Sequence, residues 1–260
     1  MYGCVIGDLA GSIYEFDQAK KVHNVKINNI IEDNSFYSDD TILTIAVLDS
    51  ILNDKDYDKY LRKYIREYSN YKPNYKPYFK YPFSPNTMKW SKEDTIGTST
   101  GNGAMMRISP VGYMFDTEEE VIENARAATI PSHNSKEAVD SATKVALIIF
   151  YLRKGLSLKE IYNKLNVNIK YTPFTKFNYT CSETIDNCLY VLYHSTSFED
   201  AIRKAIYLGG DTDTNAAIVG SMAEALYGIN PYLIEEANKK LPDKFKKIII
   251  KSKRYSESNF

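Results

Sequence analysis

Leu208-Gly209-Gly210-Asp211-Thr212-Asp213-Thr214 runs directly into Asn215-Ala216-Ala217-Ile218-Val219-Gly220-Ser221-Met222-Ala223. The paired glycines mark a sharp turn or a close backbone approach. The small, apolar run behind them reads as a buried helix. Two carboxylates and two hydroxyls therefore sit at the mouth of that helix. One carboxylate there would be an ordinary N-cap. Two close carboxylates repel and raise each other's pKa unless something neutralises them, and a hard cation with oxygen ligands does so.

The same pattern occurs earlier. Tyr37-Ser38-Asp39-Asp40-Thr41 precedes Ile42-Leu43-Thr44-Ile45-Ala46-Val47-Leu48, which is apolar almost all round. Such a helix is usually buried, and acids in its first turn also suit the helix dipole. Two acid-then-helix junctions in one chain are hard to explain as caps alone.

Working outward, the pattern is helical throughout. Tyr2–Phe16 reads as a first helix with glycines at 3, 7 and 11 on one face, open to close approach by another helix, and with Asp8 and Glu15 sharing a face. Residues 17–37 read as loop or weak strand. Residues 57–71 carry tyrosines at three- and four-residue spacing with Lys and Arg between. Basic residues interleaved with aromatics can bind single strands, but helical periodicity favours a packed Tyr stripe with a solvated basic back. Residues 73–90 read as a long irregular, Pro-rich loop. Capping boxes at Thr117/Glu120, Ser157/Glu160, Thr180/Glu183 and Ser197/Asp200 open further helices. A last helix is expected near Pro231–Lys240, then a frayed tail. The expectation is an all-α, compact, single-domain orthogonal helical bundle with a central metal site, spanning 1–250, with a tail at 251–260.

Composition sets bounds. The chain has 260 residues, with 33 basic and 33 acidic side chains. Balanced charge gives no overall field for nucleic acid or membrane. Three cysteines suggest a reducing compartment and no disulfide framework; Cys181 and Cys188 read as core residues on one helix face. The N-terminus lacks a basic n-region and carries an early acid, unlike a signal peptide, and the apolar runs are short of a membrane span. A cytoplasmic, monomeric protein with no membrane partner is expected.

The chemistry-bearing oxygens are Ser38, Asp39, Asp40, Asp211, Asp213 and Thr214, joined by Glu15. With no His or Cys among them, Mg²⁺ or Mn²⁺ is favoured over zinc or copper. So many carboxylates around one point call for about two divalent ions roughly 3.5–4 Å apart. Gly97-Thr98-Ser99-Thr100-Gly101-Asn102-Gly103 is a Gly/Ser/Thr-rich loop able to cradle a phosphate. It is not a P-loop, because no Gly-Lys-Ser/Thr follows.

Taken together, Gly7-Asp8-x-x-Gly11-x-x-x-Glu15, Ser38-Asp39-Asp40-Thr41, Gly101-Asn102-Gly103-Ala104-x-x-Arg107, Ser132-His133 and Gly209-Gly210-Asp211-Thr212-Asp213-Thr214 resemble the ADP-ribosylglycohydrolase family, in the family's order, over about residues 3–228. The resemblance implies a binuclear Mg²⁺ (or Mn²⁺) centre held by Ser38, Asp39, Asp40, Asp211, Asp213 and Thr214. It implies a role for Glu15 near the anomeric carbon, as base, gate or water-positioning group. Ser99, Thr100, Gly101, Asn102 and Gly103 match the loop that holds the diphosphate and distal ribose. His133 matches a substrate-contacting histidine, whereas His23 and His194 match no motif. Two departures stand out. Thr100 stands where some relatives have an aromatic residue. The 73–96 segment matches no motif and is a candidate lid or specificity element.

The implied function is hydrolysis at C1″ of ADP-ribose, freeing a modified protein side chain or other acceptor, an ADP-ribosylated base included, with Glu15, Asp39 and Asp211 in the catalytic roles. Two readings compete. A non-catalytic ADP-ribose binder or structural protein on the same fold would be free to lose acids, yet all the motif acids are present. A metal-dependent nucleotide phosphohydrolase would release phosphate or AMP rather than intact ADP-ribose. The acceptor linkage is not encoded in these motifs.

Overall fold

A computed structural model describes residues 1–15, 26–73, 82–174 and 176–258. Among the described residues every regular element is a helix, and the only β features are two isolated bridges, Thr98–His133 and Gly101–Thr180. The all-α expectation holds.

The centre is the pair α1 (Tyr2–Gly11) and α12 (Thr212–Tyr227), which run along each other. Small residues set their distance. A Cβ built on Gly7 would lie 2.0 Å from the Ala216 carbonyl oxygen, so only glycine fits there. Around the pair lie α2 (Asp39–Ile51), α8 (Lys136–Arg153), α10 (Cys181–Tyr193) and α11 (Phe198–Tyr207). The α2 helix is buried nearly all round; Ile42, Ile45 and Leu48 each contribute up to about 2–3 kcal/mol by burial. Outer layers come from α3 (Tyr57–Glu67), α6 (Ser109–Met114), α7 (Glu118–Thr129), α9 (Leu158–Lys164) and α13 (Pro231–Lys240). No helix among the described residues is long and apolar enough to cross a membrane.

Several expectations need correction. The first helix ends at Gly11 rather than Phe16, so Glu15 lies in the turn beyond it. Tertiary partners take over the helix end: the Gly11 carbonyl accepts from the Thr212 hydroxyl, and the Ser12 hydroxyl accepts from the Phe36 amide. The loop read at 73–90 contains α4 (Pro85–Trp90), with Ser84 as N-cap and Pro85 in the first turn; residues 74–81 of that loop lie outside the described residues, as does His23. The phosphate-friendly loop leads into a short helix, α5 (Gly103–Met106). The expected tail is crossed by α14 (Asp243–Ser258), which runs through residue 250.

Thr117/Glu120, Ser157/Glu160 and Thr180/Glu183 form true capping boxes. Ser197 caps α11 through the Asp200 amide, but the Asp200 carboxylate turns instead to the Thr196 amide and the Lys204 ammonium. The Tyr stripe of α3 packs inward as expected, but its basic back is not wholly solvated. Arg62 is buried, stacks over Trp90 at 4.0 Å, and donates to the carbonyls of Trp90, Glu93 and Thr95. It thereby fastens the segment after α4 to the body of the protein.

Candidate active site

Two helix mouths meet at the end of α1. The Ser38 side chain caps α2, accepting from the Asp40 amide at 3.2 Å. Asp211 stands at the N-cap of α12 but makes no side-chain cap bond. Its carboxylate turns away and accepts from Asn102 Nδ2 at 2.8 Å. The turn before it has positive φ at Gly209 (72°) and Gly210 (67°), the left-handed region open to glycine. Asn178 holds this turn: its Oδ1 accepts from the Asp211 amide at 2.8 Å, and its Nδ2 donates to Asn215 and Thr184.

Asp8, on α1, holds the α2 mouth and lies beside Asp213 of the α12 mouth, a role that the sequence pattern alone did not reveal. It is fully buried and accepts from the Ser38 amide (2.9 Å), the Ser38 hydroxyl (2.8 Å), the Thr41 amide (3.1 Å) and the Thr41 hydroxyl (2.5 Å). The available signal was its place in the Gly7-Asp8 motif beside the glycine stripe. Carboxylate oxygens of Asp8, Asp40 and Asp213 lie within 4.8 Å of one another, as do those of Glu15, Asp211 and Asp213. Asp213 belongs to both groups. The Thr214 hydroxyl reaches Asp40 Oδ2 at 3.2 Å. Asp39 is half-buried and lines the adjoining cavity, outside those two tight groups.

Among the described residues no Lys or Arg pairs with any of these acids. Their protonation responds accordingly. Burial, then the charge of Asp213, pushes Asp8 up to about 7. Burial raises Asp211 to about 6, with hydrogen bonds from Asp213 and Asn102 holding it down. Burial and neighbouring acids drive Glu15, Asp39, Asp40 and Asp213 well above the usual carboxylate range. Asp40 Oδ1 and Glu15 Oε2 are buried without a hydrogen-bond partner among the described residues. Orphaned buried oxygens in an all-oxygen, cation-free acid cluster fit the donor chemistry of hard divalent ions.

The acids open onto a cavity of 970 Å³. Part of its lining is the 97–103 loop, pinned from both sides. On one side Gly97 N donates to Pro131 O (2.8 Å) and Asn134 N to Gly97 O (2.8 Å). On the other, Asn102 N donates to Tyr179 O (2.7 Å) and Cys181 N to Thr100 O (2.9 Å). Ser99, Gly101, Asn102, Gly103 and His133 line the cavity together with Glu15, Asp39, Asp40, Asp211, Asp213 and Thr214. Ser38 and Thr100 do not line it: Ser38 lies behind the wall against Asp8, and Thr100 is exposed, its carbonyl holding the Cys181 amide. Phe177 and Tyr179, ring centroids 4.9 Å apart, and the 82–90 segment complete the rim. His194 lies apart, at the end of α10. Cys181 and Cys188 are buried, free thiols.

The ADP-ribosylglycohydrolase family model matches residues 1–248. The ADP-ribosylarginine hydrolase Tri1 of Pseudomonas putida (strain GB-1) is 22% identical over 264 residues, covering 88% of this chain and 70% of the relative. The ADP-ribosyl-[dinitrogen reductase] glycohydrolase of Rhodospirillum rubrum is 26% identical over 142 residues, covering 50% of this chain and 47% of its own length. A solved structure described as an ADP-ribosylglycohydrolase-related protein complex superposes with a TM-score of 0.69 at 18% identity, covering 98% of this chain and 95% of that one. That likeness gives the fold, and the family model spans both helix mouths, the pinned loop and the acids between them. The chain belongs to the ADP-ribosylglycohydrolase family, a class of hydrolases.

Proposed function

We propose that this protein hydrolyses the glycosidic bond at C1″ of ADP-ribose, releasing ADP-ribose from a modified protein side chain, with two Mg²⁺ or Mn²⁺ ions as cofactor. The observation that carries this reading is the cation-free group of Glu15, Asp39, Asp40, Asp211 and Asp213 lining a cavity shared with the pinned 97–103 loop, with Asp8 buried behind them.

Asp39, Asp40, Asp211 and Asp213, with the oxygens of Ser38 and Thr214, would hold the ions. Bound there, divalent ions supply charge neutralisation, orientation of sugar hydroxyls and a more acidic water. Asp8 keeps the α2 mouth rigid beneath them. Ser99, Gly101, Asn102 and Gly103 hold the diphosphate and distal ribose, Thr100 anchors their loop through its carbonyl, and His133 contacts the substrate. Glu15, beside Asp211 and Asp213, stands at the reacting end, where it orients the attacking water or takes its proton. The transition state is oxocarbenium-like, as in glycoside hydrolysis generally. The protein acts as a cytoplasmic monomer without a membrane partner, and an ADP-ribosylated base stays among the acceptors to test.

Arginine-linked ADP-ribose is the first acceptor to test, because the Tri1 relative carries that activity in its name. A panel of arginine-, serine- and base-linked ADP-ribose, with Mg²⁺ or EDTA, read by mass spectrometry, is expected to give intact ADP-ribose only with the metal. Asp211→Asn is expected to abolish release. Full activity of that variant in excess EDTA overturns the metal assignment, and release of AMP or phosphate overturns the bond assignment.

A further inference from the structure

Arg107 is a buried cation with no carboxylate beside it. It is 2% exposed and follows α5 in the wall of the cavity. Its Nη2 donates to the Ala128 carbonyl at 3.2 Å and to the Ser132 hydroxyl at 2.6 Å. No ion pair to Arg107 exists among the described residues, and its Nε has no partner. Burying a guanidinium this way is costly, so its place calls for a task beyond packing.

The task is visible one atom further on. Ser132 Oγ lies 2.7 Å from His133 Nδ1. A hydroxyl has one hydrogen to give and lone pairs to receive. The guanidinium can only donate, so Ser132 Oγ receives from Arg107 and keeps its own hydrogen for another acceptor. The acceptor within reach is Nδ1 of His133. A ring nitrogen that accepts carries no hydrogen, so in the neutral ring the hydrogen sits on Nε2. Nε2 faces the pinned loop: Cβ atoms built on Gly101 or Gly103 would each lie 3.5 Å from it. Both glycines thus border that N–H at van der Waals range, in the lining of the same cavity.

We propose that Arg107 and Ser132 are positioning residues that fix the tautomer of His133, so that it presents one Nε2–H donor to an acceptor oxygen of the substrate and transfers no proton. The proposal deepens the functional reading above and rests on it for the identity of that substrate, but the tautomer itself does not depend on it. Burial and the nearby Arg107 charge also hold the His133 imidazolium well below its usual pKa, in keeping with a neutral ring. An Arg-to-Ser-to-His chain of this kind makes His133 a fixed donor, which leaves proton movement to the carboxylates that line the same cavity.

The test reads the tautomer directly. Long-range ¹H–¹⁵N NMR on the histidine-labelled full chain at neutral pH resolves three histidines, and His133→Gln identifies the signals of His133. The wild type is expected to show a pyridine-like Nδ1 and a pyrrole-like Nε2. Ser132→Ala is expected to mix the two tautomers and to weaken ADP-ribose binding about tenfold by isothermal titration; Ser132→Thr, which keeps the hydroxyl, is expected to restore both. A protonated Nδ1 in the wild type overturns the proposal, as do unchanged shifts and ADP-ribose affinity in Ser132→Ala. Should Ser132→Ala fail to fold, the wild-type spectrum alone decides. Failure of the functional reading would appear separately, as absence of ADP-ribose release, with the wild-type shifts unaltered.

Discussion

Asn102 Nδ2 donates to Asp211 Oδ2 at 2.8 Å, bridging 109 residues of chain. The bond ties the Gly-rich loop to the mouth of α12. It also explains why Asp211, standing at an N-cap, does not cap. Asn102→Ala is expected to cost about 1.5–3 kcal/mol of stability, since the acceptor is charged and buried. It should also weaken divalent-ion affinity about tenfold, as loss of a supporting hydrogen bond does. Thermal unfolding in EDTA and under Mg²⁺ titration measures both; a variant matching wild type in the two experiments refutes the coupling.

Asp8 is expected to matter although it does not line the cavity. Asp8→Ala strips the acceptor from the Ser38 and Thr41 amides and hydroxyls. With several buried donors left unsatisfied, the loss should be about 3 kcal/mol or more. Denaturant unfolding reads it, and a loss below 1 kcal/mol (about one ordinary hydrogen bond) would mean that solvent replaces these bonds.

Gly7→Ala tests the α1–α12 contact. The added methyl would sit 2.0 Å from the Ala216 carbonyl oxygen, against backbone that cannot swing aside. The helices must separate, at about 1–3 kcal/mol or more. Because Asp8 follows directly, hydrolytic activity should fall along with Tm. Unchanged Tm and activity would show that the pair tolerates a wider spacing.

Stability without metal should fall as pH rises. Asp8 is raised to about 7 and Asp211 to about 6, above the value of about 4 for an unfolded aspartate. The folded state therefore binds protons more tightly than the unfolded chain. That contribution is fully present below about pH 4 and is lost as pH climbs through about 6 to 7. Divalent ions compete with those protons, so Mg²⁺ should raise Tm more at about pH 8 than at about pH 5.5. Equal gains at the two pH values would argue against a metal at these acids.

Local chemistry made much of this legible. Thr117, Ser157 and Thr180 start helices because a side-chain oxygen satisfies an orphan amide within three residues. The small residues of α12 announced close packing, and the acids at 38–40 and 211–214 announced a shared site. What stayed hidden were short helices and helix ends. The α4 and α5 helices are too brief to show a period, and Arg62, which fastens the chain after α4, looked like one more exposed base of α3.

The chain alone determined which residues could do chemistry, because caps, glycines and acids act through their nearest neighbours. Tertiary structure decided what each of them does. Glu15 left its helix because Gly11 and Ser12 found partners on other segments. Asp8 became the pin of the α2 mouth because α1 lies beside α2. His133 gained a defined donor because Arg107, buried from a different segment, turned the Ser132 hydroxyl toward it. At Gly209-Gly210-Asp211, local sequence supplied a carboxylate at a turn. Asn102, distant in sequence, aimed it by donating to the carboxylate, while Asn178 held the turn by accepting from the Asp211 amide, because a buried charge takes its orientation from whichever donors the fold brings within about 3 Å.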